Sequence, residues 1–212
     1  RPARPEPDRV PVAAQRRLLL GAADLLAGPD RPSGPRSIER TVARLGFVQL
    51  DAIAVSARAH DHVLMTRHDG YRPETLRRLA ERERRLFEHW THDASLIRID
   101  WYPAWHLRFR RVRTRGVAPN AWWRERIGPR AATTVRRVLA RVEAIGPCPA
   151  SAVAAEGRSA RGGWWRWTPE KAALEYAWRA GLVAIAGRRG FTKLYDLAER
   201  VHPGPHAAEP PS

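Results

Sequence analysis

Gln49 and Asp51 are the side chains of this sequence whose types and spacing point most directly to chemistry. They lie two apart in Phe47-Val48-Gln49-Leu50-Asp51-Ala52-Ile53-Ala54-Val55, an apolar run interrupted by one amide and one carboxylate. Val, Ile and Phe dominate the run and no helix cap precedes it, so the pattern predicts an extended strand. Alternation then puts Phe47, Gln49, Asp51 and Ile53 on one face, whereas a helix would swing the two polar groups to opposite sides. An ionised carboxylate in such surroundings is costly unless paired or hydrogen-bonded. Two readings stay open: Asp51 ends the strand by accepting backbone or arginine hydrogen bonds, or it faces a substrate. From these residues alone the first is the simpler.

Histidines form a second group, with His60, His62 and His68 in one segment and His89 and His92 in another, beside Asp61, Asp69 and Asp93. His60-x-His62 and His89-x-x-His92 are compatible with a divalent metal and hence with a metal-dependent nuclease, but the spacings match no specific ligand motif. Phosphate contact or carboxylate orientation is the commoner use of such residues near a polyanion. Tryptophan is abundant, nine in all. Trp90 and Trp178 read as core. Trp164, Trp165 and Trp167 cannot all face one core, which leaves at least one to stack on a base. A P-loop, a dinucleotide fingerprint, a nucleophile elbow and a zinc-finger pattern are all absent.

The elements that position these residues belong to a chain of 212 residues with 43% hydrophobic content, enough for one large domain or two small ones. No apolar stretch reaches the roughly 20 residues of a membrane-spanning helix. The single cysteine, Cys148, excludes an intrachain disulfide and suits a reducing cytoplasm. The chain starts at Arg1 rather than Met, as a processed or truncated chain would. A net charge of +16 points to a polyanion, nucleic acid first, with no membrane partner. Of 38 basic residues only Lys171 and Lys193 are lysines.

In chain order, residues 1–10 read as a disordered basic arm. A helix is expected from Val12 to Leu26 with Leu18 and Leu19 in its apolar stripe, and a second from Ser37 as N-cap to Gly46. After the Gln-x-Asp strand, residues 56–68 read as polar loop, Pro73 opens a helix, and Arg85 to Trp90 alternates like a strand. Ala94 to Arg115 reads as helix with a break at Pro103. Residues 116–129 are the best candidate for a linker. Beyond it come a helix from Ala131 to Ile145, a short one from Ala150 to Glu156, and a third capped by Thr168 with Pro169 at its first position. A hairpin follows, Leu182 to Ala186 and Phe191 to Leu197, tipped by Arg188 and Arg189. Residues 203–212 read as a disordered tail. The fold class is mostly α with small β-hairpins, α+β, arranged as tandem winged-helix or helix-turn-helix modules over 11–115 and 130–202.

Gly46-Phe47-Val48-Gln49-Leu50-Asp51-Ala52-Ile53, Arg58-Ala59-His60-Asp61-His62, His89-Trp90-Thr91-His92-Asp93-Ala94-Ser95-Leu96 and Gly190 to Val201 together resemble the bacterial YcaQ-like (AlkZ- and AlkX-type) winged-helix DNA glycosylases. The resemblance runs from about Val12 to His202. It implies a cofactor-free, metal-free hydrolase of alkylated or crosslinked double-stranded DNA, monomeric and associated with the bacterial nucleoid. It also implies a catalytic Gln-x-Asp or Gln-x-Gln pair, here Gln49 and Asp51. An N7-alkylguanine is already cationic and leaves without a general acid, so a carboxylate that stabilises the oxocarbenium-like sugar and positions water suffices. Arg58, His60, His62, His92, Arg166, Arg188 and Arg189, with Trp164 and Trp165, are then the candidate DNA contacts. Family members are about twice as long, so the chain corresponds to their N-terminal half. A winged-helix protein that binds DNA without catalysis, or a truncated inactive homologue, is the alternative.

Overall fold

Ala94-Ser95-Leu96-Ile97-Arg98 is buried over its first four residues, on both faces, and forms the middle strand of a sheet rather than the start of the helix expected over residues 94–115. The computed structural model describes residues 10–117, 121–154 and 167–210. In it β1 (Phe47–Gln49), β2 (Leu86–Trp90) and β3 (Ala94–Arg98) form an antiparallel sheet in the order β1-β3-β2. Val48 pairs with Leu96 and Gln49 with Ser95 on one side of β3, and His89 pairs with Ser95 on the other. A strand covered on both faces has no alternation to display, so its apolar run is easily taken for a helix turn.

The first half surrounds this sheet with helices. α1 (Val12–Ala22) is shorter than expected and buries none of its residues; Leu18 and Leu19 are 68% and 70% exposed. It stops because Asp24 takes a positive φ of 57° and turns inward, where its carboxylate holds Arg31, Arg44 and Thr41. α2 (Pro35–Leu45) starts from Gly34, three residues before the expected Ser37 cap, because Pro35 fills the first turn without needing its missing N–H. Its Ile38 and Val42 are fully buried, and Gly46 at φ +83° reverses the chain into β1. Residues 59–65, read as loop, form α3 (Ala59–Met65). α4 (Pro73–Glu81) packs Leu76 and Leu79 inward as expected. α5 (Tyr102–Arg115) follows β3 through one turn of 3₁₀ helix, with Pro103 in its first turn.

In the second half, α6 (Ala121–Ile127) occupies the stretch read as linker and buries Trp123 and Ile127 against α8 (Pro169–Arg179). α7 (Ala131–Ile145) has the expected bounds, and Thr168 caps α8 by accepting from the Lys171 N–H at 3.2 Å. Only a 3₁₀ turn, Ala150–Val153, stands at the start of the helix expected over Ala150–Glu156, whose remainder lies partly outside the described residues. β4 (Val183–Arg189) and β5 (Thr192–Leu197) form the hairpin, with Gly190 at φ +58° in the turn. α9 (Ala198–Val201) follows, and α10 (Pro203–Ala207) forms where a tail was expected, its His206 ring lying against Tyr102 and His106.

Buried polar contacts join the halves. Trp178, fully buried on α8, donates its indole N–H to the Glu88 carbonyl at 3.2 Å, and the Trp178 carbonyl accepts from His89 Nε2 at 3.0 Å. The other His89 nitrogen accepts from the Trp105 indole at 3.0 Å, which fixes the tautomer with the proton on Nε2. Arg188 on β4 reaches back to β2 and grips both oxygens of Glu88, at 2.8 and 2.7 Å. Gly181 at φ +68° lies flat on Phe109, where a Cβ would stand 2.4 Å from the ring.

Candidate active site

β1 ends at Gln49, although the sequence predicts a strand through Val55. One more ladder bond, Leu50 N–H to the Ala94 carbonyl at 2.8 Å, carries the chain to Asp51. There two side chains capture the backbone. The Asp51 N–H donates to His60 Nδ1 at 3.1 Å, and Asp51 Oδ1 accepts the Ile53 N–H at 2.8 Å. An Asp that bonds the backbone two residues on makes a turn and withdraws it from any further ladder. Ile53 and Val55 are consequently 72% and 96% exposed instead of sharing a packed face with Gln49. The strand-end reading of Asp51 therefore holds for one of its carboxylate oxygens.

His60, on the first turn of α3, is buried, and burial holds its imidazole below the ordinary range against the opposing pull of the Asp61 carboxylate. Its Nδ1 lone pair is thus available to the Asp51 N–H at neutral pH. Asp61 is buried beside it and accepts the Tyr71 hydroxyl at 2.9 Å. The residues that hold the Asp51 loop are polar yet internal, so periodicity alone does not reveal α3.

Gln49 and Asp51 line an open cleft between the halves. Lys171 and Glu175 on α8, with Thr192, Lys193 and Tyr195 on β5, line it from the second half. Glu175 Oε1 accepts from Tyr195 Oη at 2.6 Å and from Lys193 Nζ at 3.3 Å. Lys193 Nζ lies 3.8 Å from the Trp178 ring centroid, and Lys171 Nζ lies 5.0 Å from that of Trp167. Both lysines of an otherwise arginine-based chain are in this cleft, the one sequence signal that could have found its second wall.

Sequence-derived candidates distribute unevenly. Arg58 and Arg188 flank Phe191, their guanidinium carbons 5.2 and 4.4 Å from its ring centroid, at the border of the cleft. Arg188 also donates to the Phe191 carbonyl at 2.7 Å, so it is a half-buried strut rather than the hairpin tip. Arg189 is exposed beside the turn. His62 is exposed, with Ser56 Oγ 3.3 Å from Nε2, and His92 is exposed in the β2–β3 turn, next to Asp93, which lines the cleft. Trp164, Trp165 and Arg166 lie outside the described residues. Among the described residues no three His, Cys, Asp or Glu side chains converge as metal ligands. None of the described helices is long and apolar enough to cross a membrane.

A carboxylate and an amide side by side in a cleft with cations opposite suit hydrolysis of a bond in a polyanion. The family profile described as "DNA glycosylase AlkZ-like" matches residues 42–212. The chain belongs to that family, and its reaction class is that of a hydrolase acting on DNA. No solved structure matches the chain.

Proposed function

We propose that this glycosylase releases N7-alkylated guanine from double-stranded DNA and unhooks interstrand crosslinks, with Asp51 and Gln49 as its catalytic pair. The carrying observation is the anchoring of Asp51: one carboxylate oxygen is committed to Ile53, and its backbone is committed to His60. The second oxygen has no hydrogen-bond partner among the described residues, and Asp51 lines the cleft. There it stabilises the positive charge that builds on the sugar as the cationic base departs, and it orients the attacking water. Gln49 holds that water or the deoxyribose by hydrogen bonds. No general acid is required for a base that already carries a positive charge.

A half-buried carboxylate at the cleft repels phosphate, which the +16 charge of the chain offsets. The α7–α8 pair with the β4–β5 hairpin is read as a winged helix, and the first half as another. A crosslinked base cannot rotate out of the duplex, and an open cleft suits a site that approaches the sugar from a groove. The substrate is duplex DNA and the acting unit a monomer.

The test is incubation with duplex containing N7-methylguanine and quantification of abasic sites. The wild type generates them, and Asp51→Asn does not while binding the duplex with nearly unchanged affinity. Full activity in Asp51→Asn removes the assignment of Asp51. DNA binding without abasic sites in the wild type makes the protein a non-catalytic DNA binder.

A further inference from the structure

Behind Leu50 lies a second, more enclosed pocket of about 150 Å³, bordered by Leu50, Arg188 and Phe191, which also line the cleft. Its floor is apolar and comes from three elements of the first half and one of the second: Leu76 and Ala80 of α4, Leu86 of β2, Leu96 of β3 and Ile185 of β4. Its charged lining is balanced, with Arg58, Arg77 and Arg188 against Asp61, Glu81 and Glu88. These carboxylates already have partners inside the protein. Asp61 is taken by Tyr71, Glu88 by the Arg188 guanidinium and Glu81 by the Arg188 N–H at 2.9 Å. The pocket therefore has little to offer a small ion and a good deal to offer an apolar group. A cavity of this volume with apolar walls accommodates one six-membered carbon ring.

We infer that this pocket receives the apolar substituent carried on N7 of the guanine being excised, and that it makes the enzyme selective for ring-sized substituents over methyl. The inference rests on the proposed release of N7-alkylguanine. Three observations point to this occupant. The pocket shares Leu50 and His60 with the surroundings of Asp51, since His60 both lines it and holds the Asp51 N–H, so a group attached to a base at Asp51 is within reach. Its border carries Phe191, an aromatic surface against which a flat ring system packs, with the Arg58 and Arg188 guanidiniums near the same ring and only Arg188 paired with a carboxylate. Arg58 Nε is buried without a hydrogen-bond partner among the described residues. In the major groove the guanine O6 acceptor lies next to N7, so a substituent directed into the pocket brings O6 toward this donor.

The experiment compares two duplexes that differ only in N7-methylguanine against N7-benzylguanine, each rate corrected for spontaneous release. The wild type is expected to favour benzyl about tenfold or more, as burial of a ring's apolar surface provides. Ala80→Phe fills the pocket, and the benzyl-to-methyl ratio falls to about one. The ratio is insensitive to the fraction of variant that is folded. If the Phe variant is inactive on both duplexes, Ala80→Val decides, since its two added carbons must still lower the ratio. A wild-type ratio near one, or a ratio unchanged by filling, overturns the pocket assignment while leaving the glycosylase reading intact. Release of neither base by the wild type overturns the glycosylase reading itself.

Discussion

His60 Nδ1 accepts the backbone N–H of Asp51 at 3.1 Å, which ties the proposed catalytic loop to α3 instead of to the sheet it leaves. His60→Ala removes this acceptor and strands the Asp51 N–H. We expect single-turnover base release to fall by tenfold or more, with the cost to stability limited to about 1–3 kcal/mol for one unsatisfied group. Rapid-quench kinetics on N7-methylguanine duplex together with urea denaturation separates the two effects. A rate close to wild type would show that the loop holds its position without His60.

Acid weakens the junction between the halves through His89. The unfolded imidazole titrates near 6.5, and burial, outweighing its hydrogen bond to the Trp178 carbonyl, lowers the folded value to about 3. Between these values the unfolded chain binds the extra proton. The contribution of His89 is therefore complete above about pH 6.5 and declines as pH falls toward 3, by an amount on the order of several kcal/mol. Urea midpoints measured from pH 7.5 to 4 are expected to decrease, and His89→Gln to start lower at neutral pH with a flatter profile below 6.5.

Glu88 and Arg188 face each other with side chains only 4% and 13% exposed. Arg188→Met leaves a buried carboxylate without its cation, which costs about 3–5 kcal/mol. Glu88→Gln in the same background removes the orphaned charge and recovers most of that loss. Chemical denaturation of the two single variants and the double variant yields the coupling; additive losses would mean that the pair is not joined.

Arg189, exposed beside the hairpin turn, contrasts with its neighbour. Arg189→Ala is expected to weaken duplex binding at low salt and to reduce the slope of log K against log salt by about one. Fluorescence anisotropy over a salt series measures it, and an unchanged slope would place the hairpin turn off the DNA.

Where local rules suffice, the sequence already contains the structure. Thr168-Pro169 starts α8, Gly46 ends α2, and α7 runs over the amphipathic stretch Ala131–Ile145. Elements whose side chains are satisfied by distant partners stay hidden. α3 escapes notice because His60 and Asp61 are buried by virtue of Asp51 and Tyr71, and β3 because both its faces are covered. The site was half visible in the same sense. Gln49 and Asp51 stand out by type and spacing, but the opposite wall, Glu175, Lys193 and Tyr195, is joined to them only by the folding of the second half onto the first. Arg188 looked like a free cation at a turn because Glu88, its counter-charge, is 100 residues away.

The same bidentate pair has a mechanical meaning. With β4 bolted to β2 by Arg188 and Glu88, and α8 to β2 by Trp178, the two walls of the cleft cannot spread unless buried hydrogen bonds are broken. Recognition strain then falls on the softer partner. On the proposed role of Asp51, a duplex substrate would have to bend or open to present its sugar, and lesions that already weaken stacking would reach the site at the lowest cost of deformation.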